Sequence, residues 1–157
     1  MSVPMQDRPA LALQLAAAID AAHAAQQRAG DRAFRTYGLS HRAYAALSAV
    51  DQGGSDGIRP SEVARHLGVS RAAATTFIQR LETKGFVETT PDEQDDRGVR
   101  VTLTRHGLEL LIRAGQLQRR LAARHLEGLP ASAIVRAVHT LESYAARLAE
   151  RQLGVVS

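Results

Sequence analysis

A chain of 157 residues, 45% hydrophobic but only 4% aromatic, suits one domain, or one domain with an added oligomerisation element, and favours helices packed through small side chains. The absence of cysteine excludes disulfides, thiolate metal sites and thiol-based redox sensing. The formal net charge of +4 marks no face, because segments 1–58 and 59–104 each balance and the basic excess lies in 105–157.

From about Pro9 to Tyr37, the positions Leu11, Leu15, Ala18, Ile19, Ala22 and Ala25 recur at i, i+4, i+7, i+8, i+11 and i+14. That spacing predicts one long helix, which Gly30 is expected to break or kink. Its apolar run "ALALQLAAAI" is interrupted by Gln14 and followed by Asp20, and no segment approaches the roughly 20 apolar residues of a membrane span, so a soluble, cytoplasmic protein without a membrane partner is expected. A second helix starts at Ser40 as N-cap, carries Ala43, Tyr44 and Leu47, and ends in the glycine-rich "DQGGSDG".

The next stretch, "IRPSEVARHLGVSRAAATTFIQRLETKGFVE", holds two helices joined by a very short connection. Pro60 suits the first helical position and Glu62 the first turn, Gly68 lies just past Leu67, and Ser70 caps a helix from Arg71 to Lys84 that ends at Gly85. The buried stripe of that helix is Ala74, Phe77, Ile78 and Leu81, which leaves Ala72, Thr75, Thr76, Gln79 and Thr83 pointing outward. After Gly85 the period changes to alternation, with Phe86, Val87 and Thr89, then Val99, Val101 and Leu103 around Arg100 and Thr102, as expected of a β-hairpin with an acidic tip. A helix resumes at Thr104 with Leu108, Leu111, Ile112 and Leu121 and ends near "LEGLP"; a last one runs from about Ser132 to Leu153.

Helix, short turn, second helix with a small and polar outer face, then hairpin: the order is that of a helix-turn-helix with a wing. The expected fold is mainly α with a small β-hairpin wing: a winged helix-turn-helix DNA-binding part at 40–104, flanked by dimerisation helices at 9–37 and 105–153, all within one domain. An outer face of Ala and Thr lets a helix approach base edges in the major groove of double-stranded DNA, where Thr and Gln hydrogen-bond and methyl groups meet thymine. Arg71 lies in a first turn, where the helix dipole disfavours a cation, which suggests an anion partner outside the helix. Ser70, Arg71, Ala72, Thr75, Thr76, Gln79, Arg80 and Arg100 are therefore DNA-contact candidates, Arg80 being open between a phosphate and Glu82.

These residues carry a specific resemblance. "SEVARHLGVSRAAATTFIQRLETKGFVE", followed by Asp95-Asp96-Arg97 and then Leu103-Thr104, is similar to the MarR family of bacterial transcription regulators in the D-x-R…L-T spacing of the wing and in "LETKGFV". The resemblance implies a homodimer built by the terminal helices, with a pocket for a small-molecule effector beneath them. It also implies that Arg97 enters the minor groove from the wing tip and that Asp95 holds it by a salt bridge, joining both to the DNA-contact candidates. Asp92, Glu93 and Asp96 are then read as a solvated turn. A metal site is disfavoured, because "DEQDDRG" lacks the D-x-[DN]-x-[DN]-G spacing. The chain departs from the family where Thr89, Thr90 and Asp96 stand in places often held by Arg, so fewer phosphate contacts and a shallower salt dependence are expected.

The six histidines are scattered without metal-site spacing, and no cofactor is called for. Tyr37, His41, Arg42 and Tyr44 are the candidates for contact with an effector, probed best by a small aromatic acid; aromatic packing with Phe34 accounts for the same cluster without a ligand. No nucleophile elbow, phosphate-cradling glycine loop or carboxylate pair on regular elements points to an enzyme. The expected function is a dimeric regulator, a repressor released by its ligand. The alternatives are a ligand-independent DNA-binding regulator and a winged-helix protein-interaction module.

Overall fold

In the computed structural model, which describes the backbone of residues 7–92 and 95–153 and the side chains among these except at 95–97 and 151–153, the first helix α1 spans Arg8–Phe34. It carries Pro9 in its first turn, where the missing N–H would be unpaired anyway. Contrary to the expectation from sequence, Gly30 does not break it. Gly30 is buried, and a Cβ there would lie 2.8 Å from His41 Cβ and Cγ, so the glycine serves the close approach of the next helix.

A 3-10 turn at Arg35–Tyr37 and Gly38, at φ 66°, reverse the chain into α2, His41–Asp51, whose N-cap Ser40 accepts the Ala43 N–H at 3.0 Å. A second 3-10 turn, Gly54–Asp56, precedes α3, Pro60–Leu67, where Glu62 reaches back to accept the Arg59 N–H at 3.0 Å. Gly68, at φ 61°, closes α3 with Val69 N–H donating to the Ala64 carbonyl, and α4 follows at Arg71–Thr83. β1, Val87–Asp92, and β2, Asp95–Leu103, form an antiparallel hairpin with Val87 opposite Leu103 and Pro91 opposite Val99.

The hairpin is fastened at its base. Ile58 and Val101 exchange backbone hydrogen bonds at 2.9 and 3.0 Å, so the connector before α3 acts as a third, one-residue strand. Gly57 makes this possible: at φ 68° and ψ 177° its bare Cα passes where a Cβ would meet Val101 O and Thr102 Cγ2 at 2.9 Å. The core beneath joins Phe34, Leu47, Val50, Val63, Ile78, Leu81, Val87 and Val101 with Leu111 and Ala114 of α5, Arg105–His125. Thr104 caps α5, accepting from Gly107 N–H at 3.0 Å while its hydroxyl donates to the Gly85 carbonyl at 2.7 Å.

The chain divides into two compact units, Met1–Arg119 and Arg120–Ser157. The first contains the helix-turn-helix, the hairpin and α1. The second contains α6, Ala131–Leu153, on which Ile134, Val138, Leu141 and Leu148 fall at one helical face, the last three exposed. No described helix is long and apolar enough to cross a membrane.

Candidate nucleic-acid interface

The two faces of α4 separate as its spacing requires. Ala74, Ile78 and Leu81 are buried and Phe77 packs against the core, whereas Arg71, Ala72, Ala73, Thr75, Thr76, Gln79 and Arg80 are exposed. Ser70 caps the helix, accepting the Ala73 N–H at 3.2 Å, and so fixes where its first turn begins. The Thr75 and Thr76 hydroxyls donate to the Arg71 and Ala72 carbonyls at 3.0 and 3.1 Å. Their protons are thus occupied inside the helix, and what these residues offer outward is a methyl group and oxygen lone pairs. The far end of α4 is tied to the hairpin by Glu82, which accepts from both Thr89 N–H (3.1 Å) and the Thr89 hydroxyl (2.6 Å). Glu82 therefore serves Thr89, and no ion pair to Arg80 is found among the described residues.

On the hairpin, Asp92 requires a correction. It was expected in a solvated turn, but it is 5% exposed and its Oδ2 accepts from Arg59 Nε at 2.8 Å and Arg100 Nε at 3.2 Å. Asp92 keeps to the strand face that carries Thr90, Arg100 and Thr102, opposite to Val87 and Val101, and the connector before α3 covers that face with Gly57 and Arg59. Arg100, counted from sequence among the DNA contacts, is three-quarters buried and also donates from Nη1 to the Gly57 carbonyl at 3.3 Å. Its guanidinium is occupied within the chain. Glu93, and the side chains of Asp95, Asp96 and Arg97, lie outside the described residues.

The aromatic candidates fall together. Phe34, fully buried, is stacked with the His41 ring at 6.3 Å and packs against Tyr44 at 4.8 Å. Asp31 Oδ1 accepts the His41 backbone N–H at 2.7 Å, burial pushes the His41 imidazole below its ordinary value, Asp31 opposes this and His23 adds to it. Tyr37 is half-buried against the core and Arg42 is exposed. None of these four lines the cleft of about 720 Å³ that opens beside them, between the end of α1, the start of α2 and α4. That cleft has an apolar floor of Leu39, Ala43, Phe77 and Leu81 and a charged rim of Asp31, Arg35, Arg80 and Lys84. The rim was not foreseen, because its two pairs, Asp31 with Arg35 and Arg80 with Lys84, lie far apart in sequence and no local motif joins them. Lys84, the only lysine, also donates to the Gly38 carbonyl at 3.3 Å and so bridges the cleft.

The sequence pattern of the MarR family matches residues 37–98, from the turn before α2 through most of the wing. The chain is 37% identical over 81 residues to the transcriptional activatory protein BadR of Rhodopseudomonas palustris, covering 51% of this chain and 46% of that one. It spans about half the length of the curated relatives it matches. Among solved structures, AbsC of Streptomyces coelicolor superposes with a TM-score of 0.77 at 20% identity, covering 96% of this chain and 99% of that one. CouR of Rhodococcus jostii RHA1, bound to p-coumaroyl-CoA, superposes with a TM-score of 0.72 at 24% identity, covering 81% of this chain and 88% of that one. The structural likenesses extend the shared fold past the matched segment into the terminal helices, and the motifs within 37–98 are those of the helix-turn-helix and wing just described. Over residues 37–98 the chain carries the sequence pattern of the MarR family, within the winged helix-turn-helix fold it shares with solved MarR-family structures.

Proposed function

We propose that the protein is a homodimeric transcription regulator that binds a pseudo-palindromic duplex, with α4 in the major groove and the wing at the flanking minor groove. The observation that carries this reading is the outer face of α4: a capped helix presents a cation, small residues, methyls and one amide to solvent. Such a face costs little to desolvate and matches groove edges in size and chemistry. Arg97 is assigned to the minor groove by its place in the D-x-R motif. We propose a repressing role, as the relative MprA of Escherichia coli is a transcriptional repressor by name, although the relative BadR is an activatory protein.

The effector site we propose is the cleft beside α4, in preference to the aromatic cluster, whose His41 and Tyr44 rings are already engaged with Phe34. An apolar floor with Arg35, Arg80 and Lys84 on the rim suits an aromatic acid, and the CouR structure holds a p-coumaroyl thioester. Because Phe77 and Leu81 belong to α4, a ligand there would bear directly on the reading helix.

The test is duplex selection from a random pool by the full chain, followed by titration of the selected duplex at two salt concentrations. Affinity should fall with salt, Arg97→Ala should cost about 1–3 kcal/mol, and p-coumarate or its thioester should weaken the complex. Selection that retains no duplex, or affinity indifferent to salt, would exclude DNA binding and leave the protein-interaction module.

A further inference from the structure

We propose that Asp92 is the positioning residue of the wing, a buried carboxylate that locks the hairpin to the start of α3 through Arg59. The inference rests on the DNA-binding reading for its purpose, though not for its geometry. The hairpin meets the helix-turn-helix at two heights. Toward its base, the Ile58–Val101 backbone pair and, opposite Val101, the Thr89–Glu82 bonds hold it; three residues further toward the tip, on the partner strand, Asp92 holds it by a side chain. Attachments at one height leave the outer part of a two-stranded ribbon free to swing, whereas a further one toward the tip fixes its direction.

Two ion pairs that Asp92 makes among the described residues divide this work. Arg100 lies on β2, so its bond to Asp92 Oδ2 is internal to the hairpin and braces the register shift at Pro91. Arg59 is the N-cap residue of α3, so its bond at 2.8 Å crosses from wing to helix. The connector before α3 makes the crossing possible, because it lies over this face of the hairpin and brings Arg59 onto the carboxylate next to the described end of β1. Asp92 is nearly inaccessible while the Arg59 side chain is 41% exposed, so the carboxylate is the committed member and the arginine reaches in from the surface. Since α3 packs directly on α4, locking the wing to α3 sets the angle between the wing and the reading helix. That angle decides whether a groove-reading helix and a wing tip engage one duplex together.

The chain contains no cysteine, so two introduced ones can be spin-labelled without background. Labels at Val99→Cys on the wing and Ala73→Cys on α4, both exposed, report the wing-to-helix distance in the absence of DNA, in protein diluted with unlabelled chains. Asp92→Asn and, independently, Arg59→Gln should broaden the distance distribution, and should weaken the selected duplex by about tenfold, the order of one groove contact. Loss of hydroxyl-radical protection should concentrate at the flanking minor grooves. Should Asp92→Asn fail to fold, Arg59→Gln decides, because it leaves the hairpin's internal pair with Arg100 in place. An unchanged distribution in a folded variant overturns the lock, even if DNA binding stands. A broadened distribution with unchanged affinity overturns the positioning role, and a wild type that binds no duplex overturns the DNA reading and this purpose with it.

Discussion

Three neighbours of different kinds hold His41. Gly30 supplies the space, since any side chain there would strike the imidazole; Phe34 supplies a stacked ring; Asp31 takes the backbone N–H. Burial outweighs the attraction of Asp31, and the repulsion of His23 acts in the same direction as burial, so the folded imidazole protonates less readily than its ordinary value of 6.5. The sign of the consequence follows from linkage. Between the lowered folded value and 6.5 the unfolded chain binds the proton and the folded chain does not, so stability rises with pH across that window. The contribution is fully present above 6.5 and is lost as pH falls through the folded value. His41→Gln keeps a polar side chain of similar size and cannot titrate. Urea midpoints measured at about pH 8 and about pH 5 should therefore differ less for His41→Gln than for the wild type. Equal pH dependence in the two proteins would mean that this imidazole is not held neutral by the fold.

α4 is the element whose reading from sequence transferred most directly to the structure. Its buried stripe was legible because a helix repeats every 3.6 residues whatever surrounds it, so Ala74, Ile78 and Leu81 identify one face and Thr75, Thr76 and Gln79 the other. Asp92 was illegible for the opposite reason: alternation marks its strand face as outer, and only the connector before α3, distant in sequence, covers that face. Arg100 shares that face and its pairing with Asp92 is equally invisible to alternation. Gly30 reads as a breaker locally, and only the approach of α2 explains it. The internal bonding of the Thr76 hydroxyl sharpens what α4 should read. With its proton on the Ala72 carbonyl, Thr76 offers a methyl and an acceptor, and Gln79 alone offers a side-chain amide. Thr76→Ser, which removes the methyl, and Gln79→Ala should each change the preferred base at about one or two positions per half-site while leaving non-specific affinity nearly intact. If selection from random duplexes returns the same consensus for wild type and both variants, α4 is not the reading helix.

At the scale of the whole molecule, the question is what the long helices are for. One winged helix-turn-helix reads one half-site, and reading two requires a second copy at a separation of about one helical turn, roughly 34–36 Å, or a multiple of it. The helices outside the winged part carry apolar side chains that the single chain leaves in water: Leu11 and Leu13 on α1, and Val135, Val138, Leu141 and Leu148 on α6. On α6, Ile134, Val138, Leu141 and Leu148 lie at i, i+4, i+7 and i+14, a continuous stripe along a helix of 23 residues. An isolated helix gains nothing from such a stripe, whereas a two-fold partner would bury it against its own copy. Leu15, Ile19 and Leu121, half-buried in the single chain, join the proposed interface from sequence. Two changes to charge on the stripe, Val138→Glu with Leu141→Glu, should give a protein that sediments as a monomer while α1–α4 and the wing keep their fold. The cost to DNA binding should then exceed that of any single contact, because a tethered second head binds at an effective concentration in the millimolar range and the monomer loses that advantage. Removal of residues 1–30 should act in the same direction, giving insoluble or monomeric protein. A soluble monomer that binds the full two-half-site duplex as tightly as the wild type would show that one reading head suffices, and the apolar stripe of α6 would then need another partner.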